Sequence, residues 1–476
     1  QGQVPAPGPN GQFQGQAPAP GPNGQFQGQV PAPGEKKSRG KMAAIISVIV
    51  VAILVVVGGG AFAISRLGGG GYKSPDALAQ SIDSAFAKNS LVSLAGAASP
   101  EELNAATAWQ KDYKHNGGTD WSKLMDLKAL KDYVDQIDIK KSEMEYTVDT
   151  KSDQVALITI TKWEGDVEIK PELADKIREH YKEAKGSDLT ANESQAFDKM
   201  KQDIQNNPVS SGNVLKNFPN NKLTLVSVKE DGKWYLSGYM TVAEQFLGTG
   251  SAQPNYSANF TDVKGASSPE EAVSGMVDAL RNGGNIGSED VYRYLDLPER
   301  RVAAVYGGGS SSSGYSASGM GGSGVQVTWG LSSTKVSGGA IVNLGTTSIT
   351  MGEYKVEFNG DSLTVSYPDI DTRTFRTTTK TMTTNYTEGL VNPERLGVFT
   401  VEDANGWHVS LVRTIGNLNL LAASDDAVNQ AIDGLWSATG SHDVDVSKDE
   451  MRDLALNNKP VGALLVIGWN FAKNMK

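Results

Sequence analysis

The side chains best suited to chemistry in this sequence are four histidines, one alternating acidic run and three tryptophans in strand-like stretches. His115, His180, His408 and His442 lie far apart, and only His408, beside Trp407, falls in a stretch with strand character. Catalytic and metal centres need converging groups, so scattered histidines read as isolated surface or structural residues. Alternation along a strand would turn one of Trp407 and His408 to the core and the other to solvent. His442-Asp443-Val444-Asp445-Val446-Ser447-Lys448-Asp449-Glu450 alternates oxygen ligands as a calcium loop does. A loop opening at Asp443 would need glycine where Lys448 stands and glutamate where Leu454 stands, so helix capping is the better reading. Trp163, Trp234 and Trp407 could line a pocket, but a large aromatic on a strand more often fills a core. No phosphate loop, dinucleotide fingerprint or Gly-x-Ser-x-Gly elbow occurs. No catalytic, cofactor-binding or metal-binding residue is therefore assigned, and no cofactor is expected.

Composition narrows the setting. The absence of cysteine removes disulfides, thiolate nucleophiles, Cys-ligated metals and a lipid-modified Cys anchor, and a disulfide-free exported chain fits a bacterial surface. The net charge of -10 argues against a nucleic-acid partner. Residues 1–41 hold Lys36, Lys37, Arg39 and Lys41 against Glu35 alone, which leaves the rest with 40 basic and 53 acidic side chains, a charge of -13. A chain of 476 residues has room for two or three domains.

Residues 1–41 repeat QGQVPAPGPNGQF with a period of 13. This Pro/Gly/Gln tail lacks the apolar surface that would offset chain entropy, so a disordered spacer is expected, with an adaptor ligand anchored by Phe13 and Phe26 as the alternative. Residues 42–64, Met42 to Ile64, then run for 23 positions without a charge. At about 1.5 Å per residue that crosses a hydrocarbon core of about 30 Å. The lysine cluster on its N-terminal side predicts a single-pass plasma-membrane protein with a cytoplasmic N-terminus and an extracellular remainder. Ala61-Phe62-Ala63 resembles a signal-peptidase site, but the apolar run is longer than a usual signal core, so retention is expected.

After a Gly linker (65–73), two stretches open alike. Ser74-Pro75-Asp76-Ala77-Leu78 and Ser268-Pro269-Glu270-Glu271-Ala272 each offer a serine cap, proline in the first turn, acids at the positive end of the helix dipole and apolar residues at helical spacing. Strand-like runs follow at Val155–Ile160 and Leu223–Val228 in the first, and at Ala340–Leu344, Tyr354–Phe358, Leu363–Tyr367 and Gly397–Val401 in the second. Each closes on an acidic glycine turn into tryptophan, Glu230-Asp231-Gly232-Lys233-Trp234 and Asn405-Gly406-Trp407, a hairpin signature. The pattern predicts an internal duplication: a first exported domain (74–250), a linker (251–267) and a second exported domain (268–423) with a Gly/Ser loop (307–324). Pro171–Lys185 and Ala191–Gln205 predict two inserted helices in the first domain. Residues 424–476, opening Asp425-Asp426-Ala427-Val428, read as a partial third repeat that this chain does not complete, or as a C-terminal extension. The apolar run Val461–Ile467 reads as a strand.

A Ser-Pro-Glu-Glu-Ala helix opening and an Asp-Gly-Lys-Trp closing hairpin resemble the nuclear-transport-factor-two-like superfamily, also called cystatin-like or SnoaL-like. The layout is also similar to that of the teicoplanin-resistance-associated membrane proteins, without their cysteine-containing zinc ribbon. The resemblance implies an α+β fold class: a single transmembrane helix followed by tandem curved antiparallel sheets with packed helices, cone-like and often with a pocket at the open end. Enzymes of that superfamily use Asp, Tyr or His in the pocket, and none of those positions maps onto this chain. The expected function is extracytoplasmic binding in the bacterial envelope, with an isomerase or dehydratase, or a passive adhesin or stalk, as alternatives. Expected partners are the membrane through one helix and an envelope protein or wall component, with no nucleic acid and a homo-oligomer left open. Protease added to intact cells is expected to digest the chain after Ser65 and spare the proline-rich tail; the opposite pattern reverses the topology.

Overall fold

Ser74 caps α1 (Pro75–Ala87) by accepting the Ala77 N–H at 3.1 Å, and Leu78, Ile82 and Phe86 line its buried face. The computed structural model describes residues 70–107, 123, 127–206, 208–213, 215, 218–248, 253–308, 325–371, 373–374, 376–439 and 447–473. A 3-10 turn leads from α1 to α2 (Pro100–Thr107), and α3 (Leu127–Val134) precedes the long hairpin β1 (Ile137–Thr150) and β2 (Val155–Ile169). Register shifts between Ile139 and Lys141 and between Glu145 and Tyr146 are bulges that curl this pair. Next come α4 (Glu172–Lys185), α5 (Ala191–Asn206) and the short β3 (Val209–Asn213). Thr190 and Glu193 form a capping box in both directions at the start of α5, with N–H to oxygen distances of 2.7 and 3.2 Å. The unit closes on β4 (Leu223–Glu230), β5 (Lys233–Ser237) and α6 (Gly238–Leu247), giving a sheet of order β1-β2-β4-β5 with β3 on β2. Asp231 and Gly232 take φ of 48° and 77°, the left-handed pair that a two-residue hairpin turn demands.

The second unit repeats this plan. Ser268 caps α7 (Pro269–Arg281), followed by α8 (Glu289–Tyr292) and α9 (Leu297–Tyr306). The strands are β6 (Val325–Thr328), β7 (Ser332–Val336), β8 (Gly339–Asn343), β9 (Ser348–Met351), β10 (Tyr354–Asn359), β11 (Ser362–Asp371), β12 (Arg376–Asn385), β13 (Val398–Asp403) and β14 (Gly406–Val409), and α10 (Leu411–Leu418) closes the unit. The sheet β7-β8-β13-β14 has the order of its counterpart in the first unit. Tyr72 bridges to Trp234 as Ala266 does to Trp407, and Ala98 bridges to Leu236 as Leu295 does to Val409. The Ser227 hydroxyl donates to the Ala156 carbonyl as Thr400 does to Ala340, and the Thr241 and Thr414 hydroxyls accept from the Val226 and Phe399 N–H groups. Among the described residues, the second unit alone inserts a further sheet, β12-β11-β10-β9-β6. The protein is thus α+β, with curled antiparallel sheets and helices packed on them.

The first unit's sheet is buried on both faces. Leu78, Ile82 and Phe86 pack on Ile158, Ile160 and Trp163, with the Phe86 and Trp163 rings edge to face at 4.6 Å. The other face of the same sheet, Val155, Leu157, Val226 and Val228, shares a core with Phe260 and Val263 of the connecting segment and with Leu295, Ala304 and Val305 of the second unit.

The C-terminal run Val461–Ile467 is not a strand but the middle of a helix. α11 (Asp425–Thr439), α12 (Lys448–Asn457) and α13 (Lys459–Ala472) pack on one another around Val428, Ile432, Ala463 and Val466. Asn458 caps α13 and Pro460 sits in its first turn, signals that decide an apolar run whose length alone fits either element. α13 also reaches the inserted sheet, where the Thr384 hydroxyl donates to the Asn470 carbonyl at 2.6 Å. Among the described residues no helix is long and apolar enough to cross a membrane; Met42–Ile64 and the Pro/Gly/Gln tail lie outside them.

Gly434 on α11 faces Trp469, where a Cβ would sit 2.3 Å from the indole. Gly434→Ala is expected to lower the stability of the C-terminal helices by about 1–3 kcal/mol despite alanine's higher helix propensity, measured by urea unfolding followed on tryptophan fluorescence.

Candidate functional site

The richest concentration of buried ionisable groups lies where the two units meet. Each unit's second long helix lies against the other unit's closing helix, α2 on α10 and α9 on α6, and α2 also touches α9, so four helices form a layer in the order α6, α9, α2, α10. The N-terminus of each helix in that layer carries backbone N–H groups that need partners once buried.

Two glutamates supply them in equivalent ways. Glu102 on α2 accepts from the Ser237 hydroxyl and from the N–H groups of Gly238 at 2.7 Å and Tyr239 at 3.2 Å, the start of α6. Glu299 on α9 accepts from the Ser410 hydroxyl at 3.3 Å and the Val412 N–H at 2.9 Å, the start of α10. Ser237 and Ser410 are themselves the caps of those helices. A carboxylate there meets the positive end of a helix dipole but loses its hydration.

Arginines tie the glutamate helices to the opposite unit. Arg301, fully buried on α9, donates to Glu230 at 2.6 Å and Ser99 at 3.3 Å, both in the first unit. The same guanidinium lies over the Phe260 ring at 5.9 Å. Arg413 on α10 donates to Asp296 at 3.3 Å and reaches the Asn104 carbonyl of α2 at 3.4 Å. Glu244 of α6 accepts hydroxyls from Tyr256 at 2.7 Å and Tyr306 at 2.9 Å.

Burial pushes Glu299 up to about 7, with the negative charge of Asp296 adding to it. Burial likewise raises Glu102, and Glu101 is raised by burial and by Glu230 and Asp296. Tyr239, Tyr256 and Tyr306 are raised by burial and neighbouring carboxylates. Burial lowers Arg300, against the pull of Asp403. At Asp403 burial acts upward, but hydrogen bonds from His408 and the Asn405 N–H, with the His408 and Arg300 charges, outweigh it and hold the group at about 2.

Both described histidines are buried beside an aspartate. His180 lies 3.0 Å from Asp132, and His408 lies 3.1 Å from Asp403 and 2.9 Å from the Arg293 carbonyl. Both ring nitrogens of His408 therefore face acceptors, and a Cβ on Gly265 would come within 2.5 Å of the ring. Of the strand pair, His408 is the inward residue and Trp407 is half-buried; Trp163 and Trp234 are buried core residues. His115, His442 and Asp443–Val446 lie outside the described residues, whereas Ser447 caps α12 with a full capping box to Glu450. Among the described residues no group of three or more His, Asp or Glu side chains is arranged to hold a metal.

The layer also carries apolar side chains outward. Phe246 is 78% exposed, with Val242 and Leu247 beside it on α6, and Ile415 is 65% exposed with Leu411 on α10. Val242 and Ile415 each follow the threonine that bonds to the neighbouring strand, Thr241 or Thr414, so they occupy matching positions in the two units. None of these residues was singled out from the sequence. Their signal was present only as the repeated Ser-x-x-x-Thr after each closing hairpin, Ser237 to Thr241 and Ser410 to Thr414.

A carboxyl whose folded-state pKa is raised binds its proton more tightly folded than unfolded, so it favours the folded state as pH falls from about 7 toward its ordinary value of 4.5 and opposes it above. The protein is expected to resist urea better at pH 5 than at pH 8, and Glu299→Gln to flatten that difference. Asp403 acts oppositely, its contribution fading as pH falls from 3.8 through 2. Compared with protein-family models, with curated proteins and with solved structures, the chain matches none.

Proposed function

We propose that the chain is a membrane-tethered binding protein of the bacterial envelope, whose two repeats act as one body that presents the outer faces of α6 and α10 to a protein partner. The observation that carries this reading is the outward apolar position that the two units share, Val242 in one and Ile415 in the other, each with a further exposed apolar side chain on its helix, Phe246 or Leu411. Large apolar side chains exposed together mark interaction sites more often than chance surface residues do. Their repetition offers two footholds for one partner or for a partner that is itself repeated. The apolar Met42–Ile64 run would hold this body near the bilayer, and the acidic exterior favours a basic or neutral partner surface. A superfamily relationship to nuclear-transport-factor-two-like domains is part of the same reading. It is supported by the order of both units, which open on a capped helix and end on a hairpin followed by one closing helix.

One feature favours an enzyme as the second reading. Glu299 has an Oε2 that is buried and unpartnered, a pKa pushed up to about 7, and Tyr239 within electrostatic reach. That is the poise a general acid or base requires. Against it, the Glu299 Oε1 is engaged as a helix cap, which gives the residue a structural task.

Phe246→Asp combined with Ile415→Asp is expected to abolish capture of partners cross-linked in intact cells while the unfolding midpoint stays within experimental scatter. Unchanged capture by that variant would overturn the binding reading. A substrate turnover that Glu299→Gln removes would put the enzyme in its place.

A further inference from the structure

The inserted sheet of the second unit has two chemically different faces. Residues paired across it form continuous rows, because the register is unbroken from strand to strand. One row runs Val327, Ile349, Val356, Val365, Met382, and the next, on the opposite face, runs Gln326, Thr350, Lys355, Ser366, Thr381. The apolar face extends outward to Met351, 56% exposed, and Tyr354, 51% exposed. The central row is only half-buried, although it lies in the middle of five strands. An antiparallel sheet with one apolar face normally covers that face. Among the described residues α13 reaches this sheet near Thr384, where the Phe358, Tyr386 and Phe471 rings close one end.

We infer that this face is where a second copy of the chain docks, two inserted sheets packing apolar face to apolar face. Three observations choose a second copy over other occupants. The Gly/Ser stretch 307–324 that enters β6 carries Tyr315 and Met320 as its bulky apolar residues, too few to supply an apolar layer in cis. Of the charges that the register places on this face, Lys380 pairs with Asp369 at 2.9 Å and Arg376 stands opposite Asp371, so the acidic exterior does not oppose contact there. The dimensions also fit. Five strands about 4.8 Å apart and rows about 3.4 Å apart give a face of roughly 24 by 17 Å. Once side-chain relief is added, two such faces approach the roughly 1,200 Å² at which specific interfaces begin. The inference does not rest on the proposed partner at α6 and α10, which lie on other elements.

The cysteine-free sequence makes the test direct, because a single introduced thiol is the sole reporter. Full-length chain carrying Met351→Cys, reconstituted in phosphatidylcholine vesicles, is treated with a short bismaleimide beside the same chain carrying Thr381→Cys on the polar face. A covalent dimer at least tenfold more abundant for Met351→Cys, lost when Tyr354→Lys is added, is expected. Both exchanged side chains are half-exposed, so the monomer should fold with either. Equal cross-linking from the two faces would mean chance encounter or pairing elsewhere and would overturn the inference. So would the absence of a dimer, with Met351→Cys either freely labelled by a water-soluble maleimide or shielded within the monomer.

Discussion

Desolvation of carboxylates at the junction of the repeats is the constraint on which the rest of the architecture depends. Glu102 and Glu299 leave water to complete the starts of α6 and α10, and each can do so only because a serine hydroxyl and backbone N–H groups replace that water. Glu230 and Asp296 are buried with them, and Arg301 and Arg413 supply the compensating charge. Removing either arginine would leave an acid buried without its partner, which costs about 3–5 kcal/mol where it has been measured. The two arginines are not equivalent by repetition. Asn104 stands where the second unit has Arg301, and Met240 stands where it has Arg413. The positive charge of the interface therefore comes from one side only: both arginines belong to the second unit, and the first unit offers them Glu230, Ser99 and the Asn104 carbonyl.

The units also share one hydrophobic core. The sheet of the first unit is covered on one side by its own α1 and on the other by elements of the second unit and of the connecting segment, where Phe260 and Val263 are fully buried. A connecting segment reads as a linker when its composition is polar and irregular, and Gln253-Pro254-Asn255-Tyr256 has that composition. Its partners lie far away in sequence, so local composition says little about its burial.

Legibility followed the strength of local signals. Ser-Pro openings, the Thr190 capping box and the Asp231-Gly232 turn state their geometry within a few residues, and the duplication could be read from them. β12, Arg-Thr-Thr-Thr-Lys-Thr-Met-Thr-Thr-Asn, escaped notice because its neighbours across the sheet, and no aliphatic pattern of its own, make it a strand. β1 escaped for the same reason: charged residues alternate with Met144, Tyr146 and Val148, and the pairing with β2 organises them. Val461–Ile467 reads as a strand in sequence because continuous apolarity has no period, whereas it lies in α13. The site was the least legible part. Glu102, Glu230, Glu299, Arg301 and Arg413 are each ordinary surface types in sequence, and only the packing of α2 and α9 against the opposite unit brings them together.

The central claim is that the buried charge layer makes the two repeats a single cooperative body. Native-state hydrogen exchange on β4 of the first unit and β13 of the second tests it most directly. The account predicts that the slowest amides of both strands, Val226 and Thr400 among them, open with the same free energy and the same denaturant dependence. If β13 exchanges through an opening that leaves β4 protected, or the reverse, the repeats unfold independently and the claim is contradicted.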